Sequence, residues 1–315
     1  MRPSSKSKAF AECCKIPDLA TLALYLGSDY KDSKKSFCMD KKIDLHPEQI
    51  EYSWKDKKKG ITLPKYLSED LAYLVGVHIG DGTMGIYRRP RQVEYRNEIS
   101  GHDINDKLFY SQVLVPLFKK VFNFSPKTRL NSPGCCGLYF TSKAMTTFFN
   151  QCLDLPLGKK SSIIDIPKFI QDAGPKYYLP CIGGIFDTDF ILSFKNKNKT
   201  IHNYPIIELC VNSSKLVLTI SKLLLANGIS NFMSKRIVFD PRFKDKTTQF
   251  SVTASGKKNL QKWFHLIGSR NPSYLSRYAI YKKFGFCPPY TNYDERRRIL
   301  LGKIDPRDYY GQREI

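Results

Sequence analysis

Leu71 to Gly82 reads LAYLVGVHIGDG, and Leu179 to Phe190 reads LPCIGGIFDTDF. These two stretches decide the fold, because the second repeats the first. Each is an apolar, glycine-containing run that ends on an acid. Asp81 falls under Asp189 at an offset of 108 residues, and the same offset sets Gly76 under Gly184, Leu74 under Ile182 and Val77 under Ile185. Beyond the acids it also carries an alternating pattern. Met84 and Ile86 fall on Leu192 and Phe194, while Gly85, Tyr87 and Arg89 fall on Ser193, Lys195 and Lys197. A helix and a strand that stay in phase at one offset indicate an internal duplication.

Neither run has a polar stripe. From Leu71 to Gly80 only Tyr73 and His78 carry polar side-chain atoms, so the helix is buried on most sides. A glycine inside a helix costs about 1 kcal/mol relative to alanine; close approach of another backbone, permitted by the missing side chain, compensates. The pattern predicts two helices packed together at Gly76 and Gly184, with Asp81 and Asp189 side by side at their C-terminal ends. Carboxylates placed there repel each other and the helix dipole. A divalent cation relieves that repulsion. Asp187 reads as a structural acid and His78 as a hydrogen-bonded core histidine.

The paired runs resemble the LAGLIDADG motifs of the homing endonuclease family, in its single-chain, two-motif form. LVGVHIGDG (Leu74 to Gly82) matches at its leading Leu, both motif glycines and the terminal Asp-Gly, and departs at Ile79. IGGIFDTDF (Ile182 to Phe190) keeps both acidic positions, Asp187 and Asp189, and departs at Phe190, where the family has Gly. The resemblance covers roughly residues 66 to 290. It implies an α+β fold of two pseudo-twofold related αββαββα repeats, each a four-stranded antiparallel saddle sheet backed by helices. It implies that Asp81 and Asp189, with the carbonyls of Gly80 and Thr188, hold Mg²⁺, and that Mn²⁺ or Ca²⁺ can take the same site. It also implies a basic residue near each metal, for which Lys143 and Lys257, at the start of the closing helices, are the candidates. The implied partner is double-stranded DNA with a long pseudo-palindromic target, bound by a monomer and cut in both strands, as in intron homing.

Composition agrees with such a partner. The formal net charge is +22 over 315 residues, which favours a polyanion, nucleic acid before a membrane surface. No apolar run approaches a membrane span. The N-terminus MRPSSKSKAFAECCK lacks an apolar signal core, so the expectation is a prokaryotic cytoplasm or an organelle and not secretion. The start at Met and the lack of a splice-junction Cys, Ser or His-Asn end make an intein origin the less expected one. Nine cysteines with no CxxC form neither a zinc pattern nor a disulfide framework.

Taken in order, residues 1–65 read as a basic N-terminal extension. It holds a short amphipathic helix, Pro17 to Gly27, then Lys34, Lys35, Lys41 and Lys42, then WKDKKKG from Trp54 to Gly60. It is a DNA-backbone arm or a small helical DNA-binding module, or else a solvated, partly disordered leader. Residues 66–157 form the first repeat, 158–176 a linker bounded by Pro167 and Pro175, 177–290 the second repeat and 291–315 a basic tail with Arg296, Arg297 and Arg298. Within the repeats a helix is expected at Asp106 to Phe122, and Pro180 is expected in the first turn of its motif helix.

Strand periodicity indicates what the free sheet faces carry. Tyr87, Arg89, Lys195 and Lys197 point away from the core, and so do Gln249 and Ser251. Arg96 with Glu98, Lys127, Arg129, Glu208, Lys235 and Arg236 complete the candidate DNA contacts. Bases, amides and an occasional acid suit base-edge reading in the major groove, with the remaining Lys and Arg on phosphate. Two rival readings stay open. One is an RNA-binding maturase or splicing cofactor. The other is a non-cleaving DNA-binding protein, in which the bulk of Phe190 at the seam displaces Asp189.

Overall fold

The computed structural model describes residues 42–102, 106–132, 134–197, 201–240 and 245–311. The helix expected at Pro17 to Gly27, with Lys34, Lys35 and Lys41, lies outside them. A short helix α1 (Trp54–Lys58) precedes the first motif helix α2 (Glu69–Gly80). The Ser68 hydroxyl accepts the Leu71 N–H at 3.1 Å and so starts α2. Strands β1 (Gly82–Arg89) and β2 (Gln92–His102) follow, then helix α3 (Val115–Phe122), strands β3 (Lys127–Ser132) and β4 (Cys135–Thr141), and helix α4 (Lys143–Gln151). The linker holds one short helix, α5 (Lys168–Asp172).

The second motif helix is α6 (Pro175–Asp189). After it come β5 (Phe190–Lys195), β6 (Tyr204–Val211), α7 (Ser214–Ala226), β7 (Phe232–Asp240), β8 (Asp245–Ser255) and α8 (Lys257–Leu266). Helices α9 (Pro272–Phe284), α10 (Tyr293–Leu300) and α11 (Asp308–Gly311) end the described chain. The sheets have the orders β1-β2-β4-β3 and β5-β6-β8-β7, with every pair antiparallel. The same order twice is the duplication made visible.

Two elements differ from expectation for local reasons. The helix expected from Asp106 to Phe122 opens with a π segment, Phe109–Leu114, in which the Val115 N–H reaches back to the Tyr110 carbonyl. Pro116 lies in the next turn and has no N–H for an α-type bond. Helix α6 begins at Pro175, after Gly174 at φ 94°. Pro180 therefore lies inside the helix rather than in its first turn.

The described part of the N-terminal extension packs onto the first repeat. Leu45, Ile50 and Ile61 are buried, and Asp44 bridges Tyr66. The tail also packs on the body, where Arg296 is fully buried and donates to Ser276 Oγ at 2.8 Å and Ser273 Oγ at 3.0 Å. One hydrophobic core runs through both repeats, with α2 and α6 at its centre.

Candidate metal and nucleic-acid site at the helix seam

The seam is built on glycine. A Cβ on Gly76 would overlap the Cys181 carbonyl, and one on Gly184 would overlap the Tyr73 carbonyl. The two backbones touch at the two positions expected from the repeat. Nearer the acids, a Cβ on Gly80 would strike Thr188 Oγ1 and lie 3.4 Å from the Asp189 carboxyl carbon. The end of α6 is thus seated on the end of α2, and Asp189 comes to the Asp81 side of the seam.

Both acids are only partly accessible. Burial, then the charges of Asp189 and Asp106, hold the Asp81 carboxyl well above the usual carboxylate range, against the pull of Lys160. The Tyr110 hydroxyl also reaches Asp81 Oδ2, at 3.5 Å. Burial raises Asp189 as well, and Lys160 opposes it. Two carboxyls raised by burial, with the charge of Asp189 also acting on Asp81 and helix carbonyls beside them, form an all-oxygen donor set suited to a hard divalent cation.

The basic residue that the structure brings to the acids is Lys160, in the linker. Its ammonium donates to the carbonyls of His78 and Ile79 at 2.5 Å and of Gly80 at 2.6 Å, and so caps the C-terminus of α2. Burial pushes it down to about 8, while Asp189 and Asp81 pull the other way. Of the two lone pairs on the Gly80 carbonyl, one goes to this ammonium and one remains. The lysines expected there lie elsewhere. Lys143 pairs with Glu51 at 2.5 Å, and Lys257 is exposed at the start of α8. Lys160 escaped the sequence reading because it belongs to no motif; only the path of the linker carries it to the helix end.

The second half is not a copy of the first. At the offset of 108, Ile79 corresponds to Asp187, and the Asp187 carbonyl is capped by the neutral Asn271 amide at 3.0 Å instead of by a lysine. Asn271 also donates to Asp106 at 3.4 Å across the seam. Asp106 is a third carboxylate beside Asp81, with no acid at the corresponding position 214. Asp187 is structural, as expected. It accepts from Tyr73 Oη at 2.6 Å, Ser269 Oγ at 2.5 Å and the Arg270 N–H at 2.6 Å, and burial lifts it to about 6.

Two expectations at the seam need correction. Phe190 does not crowd Asp189; it is buried on the core face of β5, with ring centroids 5.3 Å from Trp263 and 5.8 Å from Phe186. His78 has no partner on Nε2 among the described residues, and it stacks on Phe149 at 5.3 Å in place of the expected hydrogen bond.

Register places the other candidates. Thr83, Gly85, Tyr87 and Arg89 of β1 lie across from Glu98, Arg96, Glu94 and Gln92 of β2, on the face opposite the buried Met84 and Ile99. Lys127 and Arg129 join that face through Tyr139 and Gly137. Its centre is Glu94, which the sequence reading passed over. Arg96 Nε and Nη2 donate to its carboxylate at 3.2 and 3.1 Å, and Tyr139 Oη donates at 2.7 Å. Arg96 also stacks over Tyr87 at 4.6 Å and Arg129 over Tyr139 at 3.9 Å.

On the second sheet Lys195 is exposed, and Glu208 lies beside Thr253 with Oγ1 at 3.4 Å. Gln249 accepts from Arg236 Nε at 3.2 Å, and Ser251 meets Ser234 at 2.8 Å. Lys197 sits past the end of β5 with its ammonium 3.4 Å from the Tyr204 ring centre. Lys235 is the exception. It lies opposite Phe250, on the face of Val252, because adjacent strand residues point to opposite sides.

No protein-family model matches the chain. Among solved structures it is similar to the homing endonuclease I-DmoI in complex with DNA and Ca, at 17% identity and TM-score 0.46, over 66% of this chain and 95% of that one. It is also similar to the meganuclease I-SmaMI bound to uncleaveable DNA, at 13% identity and TM-score 0.44, over 70% of this chain and 90% of that one. The neighbours are DNA-bound nucleases. Among curated proteins, an A-type ATP synthase subunit of Pyrococcus abyssi is 28% identical over 244 residues, which are 74% of this chain. The match spans 20% of that protein's length. The phosphate-binding pattern GxxxxGK[ST] is absent from this sequence.

Proposed function

We propose that the chain is a LAGLIDADG-type homing endonuclease: a single-chain, metal-dependent hydrolase of phosphodiesters at a specific double-stranded DNA site. The observation that carries this reading is the seam, where glycine contact brings Asp81 and Asp189 together beside one lysine. Asp81 and Asp189, with the carbonyls of Thr188 and Gly80, would hold Mg²⁺ or a like cation. When bound, that cation supplies Lewis-acid activation of water and charge neutralisation at the phosphate. The chain's own residues do the rest. The Lys160 ammonium adds fixed positive charge at the end of α2, where charge builds on the phosphate oxygens. The Arg96–Glu94–Tyr139 cluster and the Arg236–Gln249 pair present ordered donors and acceptors to base edges. Each repeat would read one half of the target.

The core placement of Phe190 removes the reason for a displaced Asp189 and weighs against the non-cleaving reading. No helix among the described residues is long and apolar enough to cross a membrane. The test is cleavage of a randomised duplex library with Mg²⁺ by the parent and by the Asp81→Asn, Asp189→Asn double variant. Discrete cuts by the parent and none by the variant are expected. Specific binding without cutting by either would sink the catalytic reading. Binding of a folded intron RNA alone would favour the splicing cofactor.

A further inference from the structure

Helix α1 is the part of the molecule that the nuclease reading leaves unused. Residues 54–59 read WKDKKK, four lysines to one aspartate. The aspartate points inward. Asp56 is fully buried and accepts from the Ser53 N–H at 3.0 Å, Ser53 Oγ at 2.6 Å and the Ala144 N–H at 3.2 Å. One side chain thus closes the capping box of α1 and also caps the start of α4. A second tie comes from Lys59, whose ammonium donates to the Thr141 carbonyl at 2.7 Å. Thr141 lies across from Arg96 in the register of the free face. The helix is therefore fixed to the rim of the first sheet, at the end of β4.

What α1 turns outward is chemically uniform. Trp54 is 68% exposed, and the Lys58 ammonium lies 5.0 Å from its ring centre. Lys55, Lys57 and Lys58 are exposed, and none forms an ion pair among the described residues. A large exposed aromatic and three lysines outside any ion pair, of which only Lys57 acts on a carboxylate (Glu51), make a poor solvated face. They make a good surface for a polyanion, with exposed ammonium groups to meet its phosphate oxygens.

We propose that α1 is a second DNA-backbone clamp, which grips phosphates beyond the first sheet through Lys55, Lys57 and Lys58, with Trp54 packed against the duplex. The proposal rests on the DNA-binding reading above and commits to duplex DNA. Two features support that choice: charge complementarity, and continuity with the free face through Thr141. The short helix that precedes the second motif helix, α5, reads KFIQD, and its one lysine pairs with Asp172 at 2.7 Å. The grip on the target is accordingly longer on the first repeat's side.

The chain has only two tryptophans, and Trp263 is fully buried, so quenching of the exposed ring reports on α1 in the intact protein. The full chain is titrated with a 40-base-pair duplex of mixed sequence, and acrylamide quenching is followed. Bound duplex is expected to shield Trp54, and a Trp54→Phe variant to show no change. The Lys55→Ala, Lys57→Ala, Lys58→Ala variant is expected to lower the slope of log K against log salt by about 2.7, at about 0.9 per phosphate contact. Between roughly 50 and 200 mM salt the parent then weakens about fortyfold more than the variant. If the parent binds the duplex while Trp54 stays open and the slope is unchanged, the clamp is wrong and the DNA reading stands. A parent that binds no duplex overturns both. Shielding of Trp54 by an RNA hairpin or by phosphatidylserine vesicles, but not by duplex, overturns the choice of partner.

Discussion

Gly76 and Gly184 are where the two motif helices touch backbone to backbone. Each lets a carbonyl of the opposite helix occupy the space of its Cβ. A methyl group there meets backbone, which cannot swing aside as a side chain can. Overpacking of this kind costs about 1–3 kcal/mol and at times more. Gly76→Ala and Gly184→Ala are expected to destabilise by at least that amount in urea unfolding. A second prediction concerns His78. Burial, with help from Lys160, depresses it from 6.5 to about 3. A depressed histidine leaves stability intact above pH 6.5 and removes it as the pH falls, because the unfolded chain binds the extra proton. Between pH 6.5 and 5 the loss is about 2 kcal/mol. His78→Leu is expected to flatten that limb of the pH–stability curve, and a parallel fall in both proteins would refute the assignment.

At the scale of elements, the linker is the informative one. It was expected only to join the repeats, and it delivers Lys160 to the end of α2. Lys160→Met is expected to reduce cleavage at least about 100-fold while DNA binding changes by a few-fold, as for a group that acts mainly in the transition state. Lys143→Ala and Lys257→Ala are expected to cut normally. Because Asn271 caps the other helix where Lys160 caps the first, Lys160→Met is also expected to slow the two strands unequally, read as nicked intermediate on a supercoiled plasmid. In the first sheet, Glu94 holds Arg96 and Tyr139 in place. Glu94→Gln leaves the shape and weakens those charge-assisted bonds. Its expected effect is relaxed discrimination at one or two target positions in a selection experiment, with overall affinity nearly kept.

For the whole molecule, one core spans both repeats, and polar ties cross the seam. Tyr73 binds Asp187, and Arg270 reaches Asp70 at 2.8 Å while it stacks over Tyr73 at 4.3 Å. The repeats are therefore expected to unfold in one transition, with fluorescence of Trp263 in a Trp54→Phe variant and far-ultraviolet circular dichroism giving the same midpoint. Two separated midpoints would show that the seam does not couple them.

Much of this architecture was legible in the sequence. Two apolar runs at one offset, each with a glycine in the same place, specify helix contact, because only a missing Cβ lets two backbones meet. Period-two alternation specified which strand residues share a face, and Lys235, adjacent to Arg236, falls on the other face from it. What the tertiary structure alone decided depends on separation along the chain. Lys160 is 79 residues from Asp81, and Asp106, Asn271 and Glu94 carry no local pattern that marks them. Their roles arise from where a linker, a π-opened helix and a strand register bring side chains together, and no periodicity records that. The sequence by itself determined the paired helices and their acids; only folding determined which lysine sits beside them and that the two halves of the site are unlike.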